Sequence, residues 1–458
     1  MTPLEIDTGT TAWILTSSAL VLLMTPGLAL FYGGMVRAKS VLNMMMMSFG
    51  ALALISVLWV LYGYSMAFGD DKGGGLVGDP LQYLGLKGLM STDNTVTVVA
   101  DPEQIGTYPA MAFVAFQAVF AIITVALISG AIADRAKFST WMVFSGIWAS
   151  VVYFPVAHWV FDFSAGEHVG GWIANNLKAI DFAGGTAVHI NAGVAGLALA
   201  IVLGKRVGWR RDPMRPHNLT LVMIGAGLLW FGWFGFNAGS AVAANGAAST
   251  VWVNTMVATG AAALSWLVTE KIRDGHPTSL GAASGVVAGL VAITPSCSSV
   301  SPIGAIIVGL VAGALCAVAI GLKYKLGYDD SLDVVGVHLV GGLWGTLSVG
   351  FLANADAPAG VDGLFYGGGL DQLWRQAVGA LAVLLYSFIL TLVIGFALHK
   401  TLGFRVAEED EMEGIDSTEH AETGYDLGNL TSSLRGALAG SSPRRAEEGH
   451  NHDEEVTA

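Results

Sequence analysis

Five ionisable residues stand inside or at the edge of long apolar stretches: Asp181, His189, Asp330, Asp333 and His338. A titratable group in such surroundings is costly, so each is a functional candidate. Spacing sorts them into two sets, because an Asp precedes a His by eight residues in Asp181 to His189 and again in Asp330 to His338. Two neutral imidazoles can face each other through one shared proton, offering an acceptor and a donor without fixed charge. Such a pair suits a small polar molecule and can relay a proton. A metal centre is the competing chemistry, but neither His has a Cys or a third His at ligand spacing. The aspartates also have a structural use, since each lies at or near a predicted helix start, where a carboxylate caps free backbone N–H groups.

Aromatic residues add a second pattern. Phe116 and Phe120 are one helical turn apart, as are Phe236 and Ser240, so each pair shares a helix face. Ring faces attract small cations once water is removed, and a hydroxyl beside them can accept an N–H hydrogen bond. Small residues accompany the histidines: Gly184, Gly185, Gly193 and Gly196 near the first, and Gly336, Gly341, Gly342 and Gly345 near the second. They permit close helix approach and carry no information about a ligand.

The elements that must hold these groups are membrane helices. Of the 458 residues, 53% are hydrophobic and 12% charged, about half the charged share of a soluble domain. Apolar runs fall near 12–34, 42–68, 110–133, 139–161, 185–204, 218–240, 250–270, 279–295, 301–322, 335–354 and 374–401, the run at 279–295 being the shortest. Only helices or closed barrels satisfy the backbone in lipid, and these runs are too long for barrel strands. The fold class is therefore an all-α polytopic membrane protein of eleven transmembrane helices. The two Asp–His sets fall five helices apart and would run in opposite directions, the mark of a five-plus-five inverted repeat followed by a final helix. Transporters built this way place the site between the halves.

Charge orients the chain. The connections after the first, third, fifth, seventh and ninth runs, with the tail, hold eighteen of the twenty-two Lys and Arg residues. This bias predicts an outer N-terminus and a cytoplasmic C-terminus. The N-terminal stretch carries Glu5 and Asp7 and no cation, so it is expected to be retained rather than cleaved as a signal peptide. An outer loop is rich in acids (Asp70, Asp71, Asp79, Asp93, Asp101 and Glu103), which would concentrate cations at that mouth. The formal net charge of −13 is mostly a property of residues 405–458, which hold fourteen acidic and four basic residues. Nothing in the membrane body suggests nucleic-acid binding. Cys297 and Cys316 have no metal spacing and are expected to pack in the core.

The stretches Asp181-Phe-Ala-Gly-Gly-Thr-Ala-Val-His189-Ile-Asn-Ala-Gly, Trp233-Phe-Gly-Phe236-Asn-Ala-Gly-Ser240 and Asp333-Val-Val-Gly-Val-His338 closely resemble the ammonium transporter (Amt/Mep/Rh) family over roughly residues 12–425. The resemblance implies a homotrimer with one pore per subunit, taking up ammonium or ammonia across the cytoplasmic membrane without a cofactor or enzymatic step. By position, His189 and His338 match the family's pore histidines. Phe120 and Phe236 match its stacked aromatic gate. Asp181 and Ser240 match its outer ammonium site, where Phe161 stands in place of the Trp of many relatives. Trp172, in the following connection, is a candidate substitute for that ring. Phe116, Gln117, Trp233, Asp330 and Asp333 are expected to support these groups.

The resemblance also divides the chain into a transport body, 1–404, and a cytoplasmic regulatory tail, 405–458. Gly403-Phe-Arg405-Val406, Glu413-Gly414-Ile-Asp416 and Tyr425 resemble that tail, which in the family touches neighbouring subunits. Disorder is expected beyond about Ser432. A PII-type regulatory protein is an implied cytoplasmic partner. Two other function classes were weighed. An ammonium sensor would signal through the tail, yet no separate output domain follows Arg405. A membrane enzyme would need a nucleophile or metal motif that the sequence lacks.

Overall fold

The computed structural model describes residues 6–90, 95–96 and 107–425. Glu5, the loop acids Asp93, Asp101 and Glu103, and the tail beyond Tyr425 with its expected disorder lie outside the described residues.

Ten helices are long and apolar enough to cross a membrane. They are α1 (Thr8–Met35), α2 (Ala38–Phe68), α3 (Ala110–Ile132), α4 (Phe138–Phe161), α5 (Gly185–Leu203), α6 (Leu219–Gly239), α7 (Gly246–Asp274), α9 (Pro302–Leu326), α10 (Val335–Leu352) and α11 (Asp371–Thr401). Between α7 and α9 lies α8 (Ser279–Ile293), apolar but only 15 residues long. It occupies the run read as the shortest from the sequence. An ideal helix of that length rises about 22 Å, less than the roughly 30 Å hydrocarbon core, so ten spans are counted by length and α8 falls short of the eleventh that the sequence predicts. Two helices follow in the tail, α12 (Glu408–Glu413) and α13 (Ile415–His420).

Local chemistry sets several helix starts. Asp7, Asn218, Asn245, Thr278 and Ser301 each accept a backbone N–H from the first turn of α1, α6, α7, α8 and α9. These caps matter more in a membrane than in water, where solvent would satisfy the free donors.

Helices five apart in sequence pack together. α1 lies along α6, and the start of α5 meets the start of α10. Asp181 lies just before α5 and Arg206 just after it, and the Arg206 guanidinium holds Asp329 just before α10. α5 and α10 are thus antiparallel, as the duplicated Asp–His spacing requires. Close approach depends on small residues. A Cβ added to Gly193 of α5 would stand 2.4 Å from the Leu339 nitrogen in α10. Added to Gly309 or Gly313 of α9, it would stand 2.1 or 2.2 Å from the Ala258 or Ala262 carbonyl oxygen in α7.

At the Lys/Arg-rich end of the bundle, a buried ionic layer joins the connections. Arg206 bridges Asp134 and Asp329 at 3.2 and 2.9 Å, and Arg37 approaches Asp134 at 3.4 Å. Burial pushes the Asp329 carboxyl up, but Arg206 and Arg135 outweigh it and leave its pKa below the ordinary value. The tail docks on this layer. Glu411 accepts from the Val207 N–H and from Arg405. Asp416 accepts the N–H groups of Leu42 and Asn43 in α2, and Glu419 that of Phe138 in α4. All are contacts within one chain.

Gly313→Val would force α9 off α7. It should destabilise the protein by about 1–3 kcal/mol, read as a lower thermal unfolding midpoint of the detergent-purified protein. An unchanged midpoint would show that this contact is not tightly packed.

Candidate functional site

The two histidines meet at the centre of the fold. Each sits on a π-helical turn, Gly185–Ile190 in α5 and Val335–Leu339 in α10. Such turns widen a helix locally and occur often at functional sites. Each turn is organised by its preceding Asp. Asp181 accepts four backbone N–H groups, from Gly184, Gly185, Thr186 and Ala187, and the Thr186 hydroxyl. Asp330 accepts the N–H groups of Val334 and Val335. The repeated spacing thus has a mechanical cause, in which a buried carboxylate caps the turn that carries the imidazole.

His189 Nδ1 lies 3.3 Å from His338 Nδ1, with both side chains buried. One nitrogen must donate and the other accept. The ring whose Nδ1 donates then has a bare Nε2 acceptor, and the other ring carries an Nε2–H donor. His189 Nε2 has no hydrogen-bond partner among the described residues. The rings continue a stack: Trp233 lies over His189 at 5.3 Å and His189 over His338 at 5.4 Å. Around them is a narrow cavity lined mostly by apolar side chains, among them Leu28, Ile123, Leu127 and Val287.

An aromatic plug adjoins the histidines. Phe120 and Phe236 stack at 4.2 Å and 20°, and Phe236 lies 6.1 Å from His189. Both rings are fully buried. Phe116 meets Phe120 edge-on at 4.9 Å, and Phe161 does so at 6.3 Å. Phe120, Phe236, Phe161 and Phe116 are therefore brought together. Ser240 ends α6, partly exposed, with its hydroxyl donating to the Phe236 carbonyl at 2.8 Å. Its oxygen lone pairs remain available to an N–H donor. The buried Gln117 Oε1 has no hydrogen-bond partner among the described residues.

The geometry bears on two of these residues. Asp181 is grouped with the outer site by resemblance, but its oxygens are saturated by the cap described above. Trp172 stacks on Trp159 at 5.9 Å and makes no ring contact with Phe120, Phe161 or Phe236 among the described residues, so it does not replace the missing Trp. Asp333 pairs with Lys323 at 2.6 Å, and the Lys323 ammonium also donates to the Asp330 carbonyl. Both aspartates thus serve the start of α10.

Sequence reasoning missed Thr294. Its hydroxyl accepts the Trp233 Nε1–H at 2.8 Å and lies 3.2 Å from Asn237 Oδ1, which fixes the indole against His189. A Thr at the end of an apolar helix gives no signal in one sequence, and its partner lies 61 positions away.

Antiparallel membrane helices from two halves, facing histidines between them and an aromatic plug at one end define a polytopic transport protein with a pore. The comparisons specify it further. A family profile described as Ammonium Transporter Family matches residues 12–425. The ammonium transporter of Mycobacterium tuberculosis (strain ATCC 25618 / H37Rv) is 64% identical over 442 residues, 93% of this chain and 92% of that protein. Among solved structures, the crystal structure of Saccharomyces cerevisiae Mep2 superposes with a TM-score of 0.77 at 33% identity, covering 88% of this chain and 91% of the other. A structure titled "Sensor Amt Protein" superposes with a TM-score of 0.80 at 28% identity over 90% and 98%. The chain belongs to the ammonium transporter family.

Replacing Asp181 by Ala strands four buried N–H donors. The loss of stability should be about 1–2 kcal/mol, and Asp330→Ala should behave alike. Equal thermal midpoints for wild type and both variants would contradict the capping role.

Proposed function

We propose that the protein takes up ammonium from its outer side and passes ammonia between His189 and His338 to the cytoplasm. The observation that carries this reading is the 3.3 Å contact of the two Nδ1 atoms beside an apolar cavity. Ammonium collects at the outer mouth against Phe161, Phe120 and Phe236, with Ser240 accepting an N–H and Asp181 supplying favourable potential. A desolvated cation is expensive in an apolar passage, so the proton must leave before the plug is passed. Ammonia then exchanges hydrogen bonds with one imidazole acceptor and one imidazole donor, which replace part of its lost water. Net charge moves if the released proton crosses the imidazole pair, and current measures this.

The same reading takes residues 1–404 as the transport body, with the N-terminus outside, and 405–458 as a cytoplasmic regulatory tail. The Lys and Arg bias supports that orientation. The docking of Glu411, Asp416 and Glu419 onto the cationic end supports a tail that reports on the body. Resemblance adds a homotrimer and a PII-type partner. A sensor role is the second reading, favoured by the similarity to a structure titled as a sensor.

Expression in cells lacking their own ammonium transporters separates the two. Transport restores growth on low ammonium, whereas a pure sensor does not. His189→Ala removes one polar partner of the passing molecule, worth about 1–3 kcal/mol. It should cut ammonium transport roughly tenfold or admit potassium. An unchanged rate with unchanged selectivity against potassium would remove His189 from the pathway.

A further inference from the structure

Alternating acids and imidazoles cluster at the outer face, beside the aromatic plug but outside the pore. His168 Nδ1 lies 2.7 Å from Asp70 Oδ1, and its Nε2 lies 2.9 Å from Asp162 Oδ1. Asp162 Oδ2 lies 3.1 Å from His158 Nδ1, and His158 Nε2 lies 3.4 Å from Asp71 Oδ1. An imidazole flanked by carboxylates at both nitrogens must donate from both, and only the protonated ring has two donors. His168 is therefore held as a cation. His158 Nδ1 faces Asp162 and the Ala67 carbonyl, while its Nε2 stands 3.4 Å from Asp71 and is not hydrogen-bonded among the described residues.

The cluster joins the connection after α2, which carries Asp70 and Asp71, to the connection after α4, which carries His168. Its midpoint is Asp162, the residue next to Phe161. Asp162 is also held through its backbone, where its carbonyl accepts from Gly171 N–H and Asn175 Nδ2 at 2.9 Å each. Fixing residue 162 fixes the end of α4, and so the place where the Phe161 ring meets Phe120.

We propose that His168 is a positioning residue for the outer ammonium site, acting as a cationic strap between Asp70 and Asp162 that holds Phe161 against Phe120. The proposal rests on the reading that makes Phe161 part of that site. Phe is a weaker cation host than Trp, so a site that uses Phe depends more on the ring's exact placement.

Hydrogen bonding to Asp162 raises the His168 pKa from the ordinary 6.5 to about 9, against burial and with help from Asp70. The strap is complete below the free imidazole's pKa and is lost as external pH rises through about 9. The other groups nearby do not change this. Tyr83 and Tyr64 face Asp162, and burial pushes the Tyr83 hydroxyl up. Lys72 pairs with Asp79 at 3.4 Å, Gln82 donates to Asp70, and Glu167 adjoins His168 in sequence.

The test measures methylammonium transport by the full-length protein in proteoliposomes. This substrate stays charged at higher pH than ammonium, which separates its titration from that of the strap. The wild-type KM should rise roughly three- to thirtyfold, the range of one ring–cation contact, as external pH passes through about 9, with kcat unchanged. His168→Asn should show the raised KM already at neutral pH and no further rise. Asp70→Asn, at a half-exposed position, should shift KM the same way. A His168→Asn variant whose KM follows the wild-type profile would overturn the proposal. Hydrogen exchange at residues 162–172 gives a readout independent of transport. It should be faster in His168→Asn at neutral pH, and equal exchange would overturn the strap even if no substrate is carried. Failure of both proteins to carry any substrate would instead defeat the transport reading.

Discussion

A membrane interior supplies no water, so every polar atom placed there must be satisfied by another part of the chain. The contact between His189 and His338 is the sharpest case of this constraint. Each imidazole engages the other ring through Nδ1. That geometry needs α5 and α10 to run antiparallel and nearly touch. The glycines explain how they do, since a Cβ on Gly342 would stand 3.1 Å from the His189 Cβ. The two π-helical turns explain how the rings face inward, and the capping aspartates explain why the turns form. One interaction at mid-bundle thus accounts for glycine, carboxylate and helix geometry together.

The same constraint orders the ends of the bundle. At the cationic end, Asp134, Asp329 and Glu411 neutralise Arg37, Arg206 and Arg405, and the tail's carboxylates cap helices that would otherwise present bare N–H groups. At the opposite end, aspartates and imidazoles alternate across two connections. Both ends are ionic and the middle is lined mostly by apolar side chains. Stacking of Trp233 on His189, with Thr294 behind it, carries the order sideways from the pore into α8.

Much of this was legible in the sequence because periodicity and cost leave marks. The apolar runs located the helices, with ends displaced by a few residues, as in α7, which starts at the Asn245 cap rather than at 250. The shortest run became the shortest helix. Asp181, His189, Asp330 and His338 stood out because ionisable groups are rare in such runs, and their repeated spacing revealed the pairing. A capping use for the aspartates was legible from their place at helix starts, but not which N–H groups each carboxylate would take. Contacts between distant segments were also hidden. Thr294 meets Trp233 across 61 positions and His168 meets Asp70 across 98, and no local pattern marks either pair. Trp172 shows the converse, since a residue of the right type near the right place packs elsewhere.

The central claim is that a neutral imidazole pair in a dry passage lets ammonium nitrogen through while excluding ions that cannot shed their charge. A concentration jump on a solid-supported membrane bearing the purified wild-type protein tests it most directly, with ammonium and potassium applied in turn at matched ionic strength. The account predicts a protein-dependent response to ammonium, as a current if the proton crosses the pair or as a lumenal pH change if it returns, and none to potassium. Equal responses to the two cations, or no response to ammonium by either readout, would contradict it.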